Sequence, residues 1–365
     1  MALLSEVSVL DLSIWRPGPY ATSLLTYLGA DVLKVEPPGG DPMRFYPELF
    51  ESVNAGKRSI VLDLKDDDDR ARALALATSA DVVVEGFRPG VMARLGLDEA
   101  AVRAVNPAVV YCSISGYGQQ GDLARLPGHD VNYQAWSGAL SPDGQRASMP
   151  PLPIADLASG LAAAFGICAA LLGRGAGGAG TGTYVDVSMT DVLATWTGAA
   201  TATTAGAATG AVTGAAASVD SDANPATRSG GSSVPGYGLY ATADGHQVAL
   251  GVVNEPHFWS ALCAELGLEP LRHLAFDERS RRGRELDEAV AQAVAARTRD
   301  ELVTALTLAG VPVAPVLDRR AVVANGPFPS FPAFPIRLGA DAGGGAGEAA
   351  PTAPKLDEHH GQGFR

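Results

Sequence analysis

Cysteine is scarce in this chain: Cys112, Cys168 and Cys263 are the only three in 365 residues. They stand far apart in apolar runs, with neither metal-ligand spacing nor a disulfide framework. A thiol-built scaffold or metal site is therefore excluded, and a reducing, cytoplasmic setting is expected. Positive charge is also short, with 27 Lys and Arg against 40 Asp and Glu, a formal balance of −13. Such a chain repels phosphate backbones, which sets nucleic acid aside as a partner. Any anionic ligand must be held by local cations working against the overall field. The opening "MALLSEVSVLDLS" has no basic flank before an apolar block, so it does not read as a signal peptide. The apolar run "SGLAAAFGICAALLG" is too short to span a bilayer and contains glycine, so no membrane association is expected.

What the chain does have is alternation. "VSVLDLS", "DVLKVEPP", "SIVLDLK", "DVVVEGF" and "AVVYCSISG" are apolar, β-branched runs, and helical stretches such as "GPYATSLLTYLGA" and "DDDDRARALALATSA" lie between them. Strands without polar alternation, separated by helices, predict a parallel sheet covered on both faces, an α/β doubly wound, Rossmann-like domain. A long helix is expected from Leu157 to about Leu172, then a strand at "TYVDVSM". Gly173 to Gly178 fits G-x-G-x-x-G, but it follows a helix and precedes a strand. That is the reverse of the dinucleotide-binding order, so it reads as a connection.

The expected organisation is a large domain over residues 1–197 and an Ala/Gly/Thr-rich linker over 198–229. A small α+β domain follows over 230–320, and a Pro- and Gly-rich return segment over 321–365. The small domain opens on a hairpin, "GYGLYATADGHQVALGVV", turning at Asp244-Gly245. Helices are read at "EPHFWSALCAELGL" and "GRELDEAVAQAVAART".

Two stretches could carry chemistry. "LPGHDVNYQAWSGAL" sets His129 beside Asp130 behind a glycine, in a chain with six histidines. Taken alone, the pair is a weak signal, since a single histidine in a turn is more often structural or solvated than catalytic. Asp156, in "PPLPIADLASG", stands where an N-cap aspartate belongs. The same helix N-terminus would present free N–H groups to a negative oxygen. Glu255 opens another helix and reads equally as an ordinary acid in a first turn.

Several long blocks resemble, in order, the class III CoA-transferase (CaiB/BaiF) superfamily, which includes formyl-CoA and carnitine CoA-transferases and α-methylacyl-CoA racemases. They are "VLDLS…PGPYATSLLTYLGADVLKVEPPGGD", "NAGKRSIVLDLK", "ADVVVEGFRPGVMARLGL", "PLPIADLASG", "AGVPVAPV" and "PKLDEHH". The resemblance implies a small domain inserted in the large one, an interlocked homodimer, and an acyl-CoA substrate with no cofactor beyond its coenzyme A. It implies CoA contacts at Trp15, Arg16, Leu62, Lys65, Gly86, Phe87 and Arg94. Lys57, Arg58 and Arg88 fall in the same blocks and are expected to add to the cationic patch or to serve surface solubility.

The superfamily runs two chemistries on the aspartate matching Asp156. Transferases use it as a nucleophile that becomes an aspartyl-CoA thioester, and racemases use it as a base opposite a histidine. Gly128-His129-Asp130-Val131-Asn132-Tyr133 is similar to the racemase block, and Glu255-Pro256 to a racemase glutamate that orients the histidine from the partner subunit. The racemase branch is the closer resemblance. It implies proton exchange between His129 and Asp156, with Glu255 and Asp130 tuning the histidine and Tyr133 supporting the site. "SGGSSVPGYGLY" is closer to the glycine loop of the transferases, which stay the alternative. A third reading is an acyl-CoA-binding paralogue without turnover.

Overall fold

The β-branched runs form β1 (Ser8–Asp11), β2 (Asp31–Glu36), β3 (Arg58–Val61), β4 (Val82–Glu85), β5 (Val110–Ser115) and β6 (Thr183–Ser188) in the computed structural model. All five pairings among them are parallel, in the order β3-β2-β1-β4-β5-β6. Residues 3–140, 147–175, 180–198, 234–325 and 351–364 are described. They fall into two compact units, Met1–Thr209 with Phe331–Arg365 and Gly210–Ser330. From residue 199 onward the expected linker lies outside the described residues, as do residues 176–178 of the glycine motif and 326–350 of the expected return segment.

Alternate strand residues point to opposite faces, so each face acquires its own core. Val9, Val32, Val82, Val84, Val110, Cys112 and Ile114 face α1 (Pro17–Tyr27) and the long helix Ile154–Gly175. Leu10, Leu33, Val83 and Tyr111 face the helix Asp67–Ala77 and its neighbour Glu99–Val105. The acidic run that opens Asp67–Ala77 is explained by its cap, since Asp66 accepts from the N–H groups of Asp68 and Asp69. Residues 351–364 lie along the free edge of β3. His359 N–H donates to Ser59 O at 2.9 Å and Val61 N–H to the Asp357 carboxylate at 2.8 Å. An edge strand covered in this way cannot template another chain.

The helix Ile154–Gly175 corrects two expectations. It begins a turn earlier than the predicted Leu157, so Asp156 lies inside the first turn and does not cap it. It is also longer than the apolar run suggested, and by length and composition is able to cross a membrane. Ala155, Ala163 and Ile167 are fully buried against the sheet, while Leu161, Phe165 and Leu172 on the same helix are exposed.

The second unit has an antiparallel sheet of β7 (Tyr237–Ala241), β8 (Gln247–Gly251) and β9 (Val313–Pro315). The hairpin turns where the sequence places it, with Gly245 at φ 77°. Its core gathers Trp259, Leu262, Leu286, Val290, Leu302 and Leu306 from three helices onto that sheet.

Candidate active site

In an open parallel sheet, ligands bind beyond the carboxyl ends of the strands where the strand order reverses. Here that point lies between β1 and β4, and a cleft of about 490 Å³ opens there. The loop after β1 supplies Trp15 and Arg16, the loop after β4 supplies Gly86, Phe87 and Arg88, and Ser115 ends β5 with Gly116 just after it. His129, Asp130, Tyr133 and Asp156 complete it, with Met43, Tyr46 and Leu49 along another wall.

His129 is the residue just before the short helix Asp130–Trp136. Its N–H donates to the Asn132 side chain at 3.0 Å, which fixes the entry of the chain. The Trp15 ring meets the imidazole edge-on, with centroids 6.5 Å apart and planes at 80°. Tyr133 donates its hydroxyl to Gly128 O at 2.6 Å, so it holds the turn that presents His129. A Cβ at Gly116 or Gly128 would stand 2.2 or 2.7 Å from the Tyr133 ring, and only glycine lets the ring lie there. Burial, with the charges of Tyr117 and Asp156 behind it, pushes the Tyr133 hydroxyl up to about 12. It stays protonated.

Asp156 reaches the cleft from the first turn of its helix. Burial, and next the negative charge of Asp130, push its carboxyl up to about 7 against the opposing pull of Arg16. Asp130 is differently placed from the sequence reading, which put it on the histidine. One of its oxygens accepts the Asp156 backbone N–H at 3.1 Å and the other accepts from Gln134. The free N–H groups at a helix start attract an acid from anywhere nearby, and this geometry turns Asp130 toward the Asp156 backbone N–H.

Trp15 has φ 65°, the left-handed region, which costs a side chain of this size about 1–2 kcal/mol. Such strain persists only where the surroundings over-determine it, and it concentrates at functional sites. Trp15, Arg16, Gly86 and Phe87 of the expected CoA contacts line the cleft. Leu62, Lys65 and Arg94 do not: Leu62 is buried in the core, while Lys65 and Arg94 are exposed. Glu255 belongs to the other unit, where it precedes the helix Pro256–Glu265. The backbone N–H groups of Glu255 and Val253 hold its carboxyl below the usual range.

Two expected cations are reassigned. Lys57 is buried, donating to Asp11 at 3.2 Å, Asn54 at 3.0 Å and Pro19 O at 2.8 Å. Arg58 is buried too, with both carboxylate oxygens of Asp31 and Gly363 O as its partners. Neither is surface or ligand charge, because each neutralises an acid inside the fold. Arg88 remains at the cleft. Sequence reasoning missed Met43, Tyr46, Leu49 and the buried Asp41; the only available signal for the last was its place in the block "PPGGDP".

The model of CoA-transferase family III matches residues 4–329. Among curated relatives, an acetyl-CoA:oxalate CoA-transferase of Acetobacter aceti is 32% identical over 96% of this chain and 92% of its own length. The human α-methylacyl-CoA racemase is 35% identical over 73% of this chain and 65% of its own. Among solved structures, a CAIB/BAIF family protein from Brucella suis superposes with a TM-score of 0.77 at 26% identity, covering 97% of this chain and 96% of that one. Rv3272 of Mycobacterium tuberculosis does so with a TM-score of 0.78 at 27% identity, covering 99% of each. The parallel sheet, the cleft at its reversal point and this likeness along nearly the whole length agree, and the chain belongs to CoA-transferase family III.

Proposed function

We propose that the cleft binds an acyl-CoA and that His129 and Asp156 exchange the proton at C2 of the acyl group, a 2-methylacyl-CoA racemase reaction. The observation that carries this reading is that both side chains line one cleft, with Asp156 held at about 7. A carboxyl near neutrality is half ionised at working pH, so it serves as base in one direction and acid in the other. Asp156 takes the C2 proton, and the electron pair moves into the C1–C2 bond as the thioester oxygen gains charge. The Arg16 guanidinium and the helix N-terminus favour that charge. Protonated His129 returns a proton to the opposite face and inverts the centre. In an interlocked homodimer, Glu255 of the partner subunit orients the imidazole. Trp15, Arg16, Phe87 and Arg88 hold the coenzyme, with Lys65 and Arg94 as outlying cations for its phosphates. The reaction calls for no metal or further cofactor.

A second reading is favoured by the full-length likeness to an oxalate CoA-transferase and by the glycine-rich "SGGSSVPGYGLY". In it Asp156 attacks the thioester and expels CoA thiolate to give a mixed anhydride; the thiolate then attacks the aspartyl carbonyl, releasing the carboxylic acid and leaving CoA as an aspartyl thioester. Incubation with a 2-methylacyl-CoA in heavy water separates the two. Racemase chemistry washes deuterium into C2, and His129→Ala abolishes it. Absence of exchange, together with a hydroxylamine-sensitive thioester on Asp156, establishes the transferase. Binding of acyl-CoA with neither signal would leave a non-catalytic paralogue.

A further inference from the structure

Beneath the cleft lies a buried ion pair that the proposed chemistry does not use. The Lys34 ammonium stands 2.9 Å from an Asp41 carboxylate oxygen, and both side chains are wholly inaccessible to water. The other Asp41 oxygen accepts two backbone N–H groups, from Trp15 at 3.3 Å and from Met43 at 2.9 Å. Lys34 also donates to Ser13 O at 2.8 Å. One pair therefore grips the loop Ser13–Trp15 at two points and starts the 3-10 turn Pro42–Phe45. Those are two different walls of the cleft: Trp15 and Arg16 on one side, Met43, Tyr46 and Leu49 on the other. The Asp41 N–H is itself held by Glu36 at 2.9 Å, and Glu36 is clamped by Arg44 Nη2 and Nε at 2.6 and 2.7 Å. The pin has little freedom.

A buried ion pair is a poor source of stability, since packed apolar side chains commonly do as well. What this pair supplies that they cannot is an acceptor for the Trp15 N–H, at the residue whose φ is 65°. We infer that Asp41 is a positioning residue, whose carboxylate holds Trp15 in its left-handed conformation and so fixes the cleft wall against His129. Released, Trp15 relaxes toward ordinary φ, carrying its indole off the imidazole and redirecting Arg16. The inference rests on the acyl-CoA reading of the cleft for its effect on turnover, though not for its effect on Trp15.

The test compares two uncharged replacements of the pair. K34M/D41N keeps an amide oxygen for the Trp15 N–H, whereas K34M/D41A has none. Turnover and CoA affinity are measured by C2 exchange and calorimetry. Trp15 is followed by fluorine NMR of protein labelled with 5-fluorotryptophan, its signal assigned by loss in Trp15→Phe. The Asn variant is expected to keep the wild-type Trp15 signal and turnover within about threefold, as an amide oxygen replaces the carboxylate oxygen as acceptor. The Ala variant is expected to shift or broaden that signal and to raise KM for acyl-CoA about tenfold. Equal behaviour of the two variants, whether both active or both inactive, overturns the inference. Should neither fold, amide hydrogen exchange on the wild type decides: a Trp15 N–H exchanging as fast as an open loop overturns it, and a protected one upholds it. Wild-type protein that binds no CoA defeats the reading of the cleft, and the Trp15 signal still judges the pin.

Discussion

The cleft and the polar cluster beneath β1–β3 use the same residue types to opposite ends. In the cluster each buried acid has a cation. Asp11 faces Lys57 at 3.2 Å, Asp41 faces Lys34 at 2.9 Å and Glu36 faces Arg44 at 2.6 Å. Burial works against the Asp11 charge, yet Lys57, then Lys34, and the hydroxyls of Ser13 and Thr22 outweigh it and hold the carboxyl at about 2. In the cleft two acids face each other instead. Asp130 lies against the start of the helix that carries Asp156, and Asp156 rises to about 7. Paired acids are fixed in one charge state and build structure, while an acid set against burial and a like charge keeps its proton available for chemistry.

That contrast can be broken from either side. The largest effect is expected from Asp156→Asn, which should lower C2 exchange about 10³-fold while the melting temperature holds or rises. Calorimetry and the heavy-water assay check the two halves. Next comes Lys57→Met, which leaves Asp11 buried without its nearest cation and should cost about 3–5 kcal/mol in urea unfolding. The catalytic pH profile of the folded enzyme should not move.

The pH dependence of stability should carry opposite slopes for the two acids. Asp11 is depressed in the folded state, so its stabilisation is complete above pH 4 and is lost as pH falls toward 2. It amounts to about 2 kcal/mol by linkage. Asp156 is raised, so its contribution is present below about pH 4 and is lost as pH climbs through 7. Urea titrations at stepped pH should show the second slope vanish in Asp156→Asn and survive in Lys57→Met. The smallest effect is kinetic. In Asp130→Asn an oxygen still accepts the Asp156 N–H but the repulsion is gone. The acid limb of the exchange profile should move to lower pH, and a limb that stays in place would show that burial alone raises Asp156.

Much of this was legible in order and pattern. Unbroken β-branched runs between helices cannot sit at a half-wet sheet, so they specified a parallel sheet with two covered faces, and the strand order places the cleft. Blocks of neighbours marked His129 and Asp156 as candidates, and both line the cleft. Lys57 and Arg58 were not legible, because a charged residue at the start of a strand looks the same whether it meets solvent or an aspartate from another strand far away in sequence. Asp130 defeated sequence reading for a related reason. Adjacency to His129 is a fact of the chain, but the direction of its carboxylate follows from a helix that begins 24 residues later, at Ile154.

The sequence by itself determined the order of strands and helices, the two cores with their alternating faces, and the residue types available for proton transfer. These depend on local periodicity and on the exclusion of water from apolar side chains, which neighbours in the chain already encode. Only the tertiary structure decided which acids are paired and which are left facing one another, and that Trp15 is held in a strained conformation by Asp41. Charge pairing and backbone strain depend on distances between segments remote in sequence, and those distances exist only once the chain has folded.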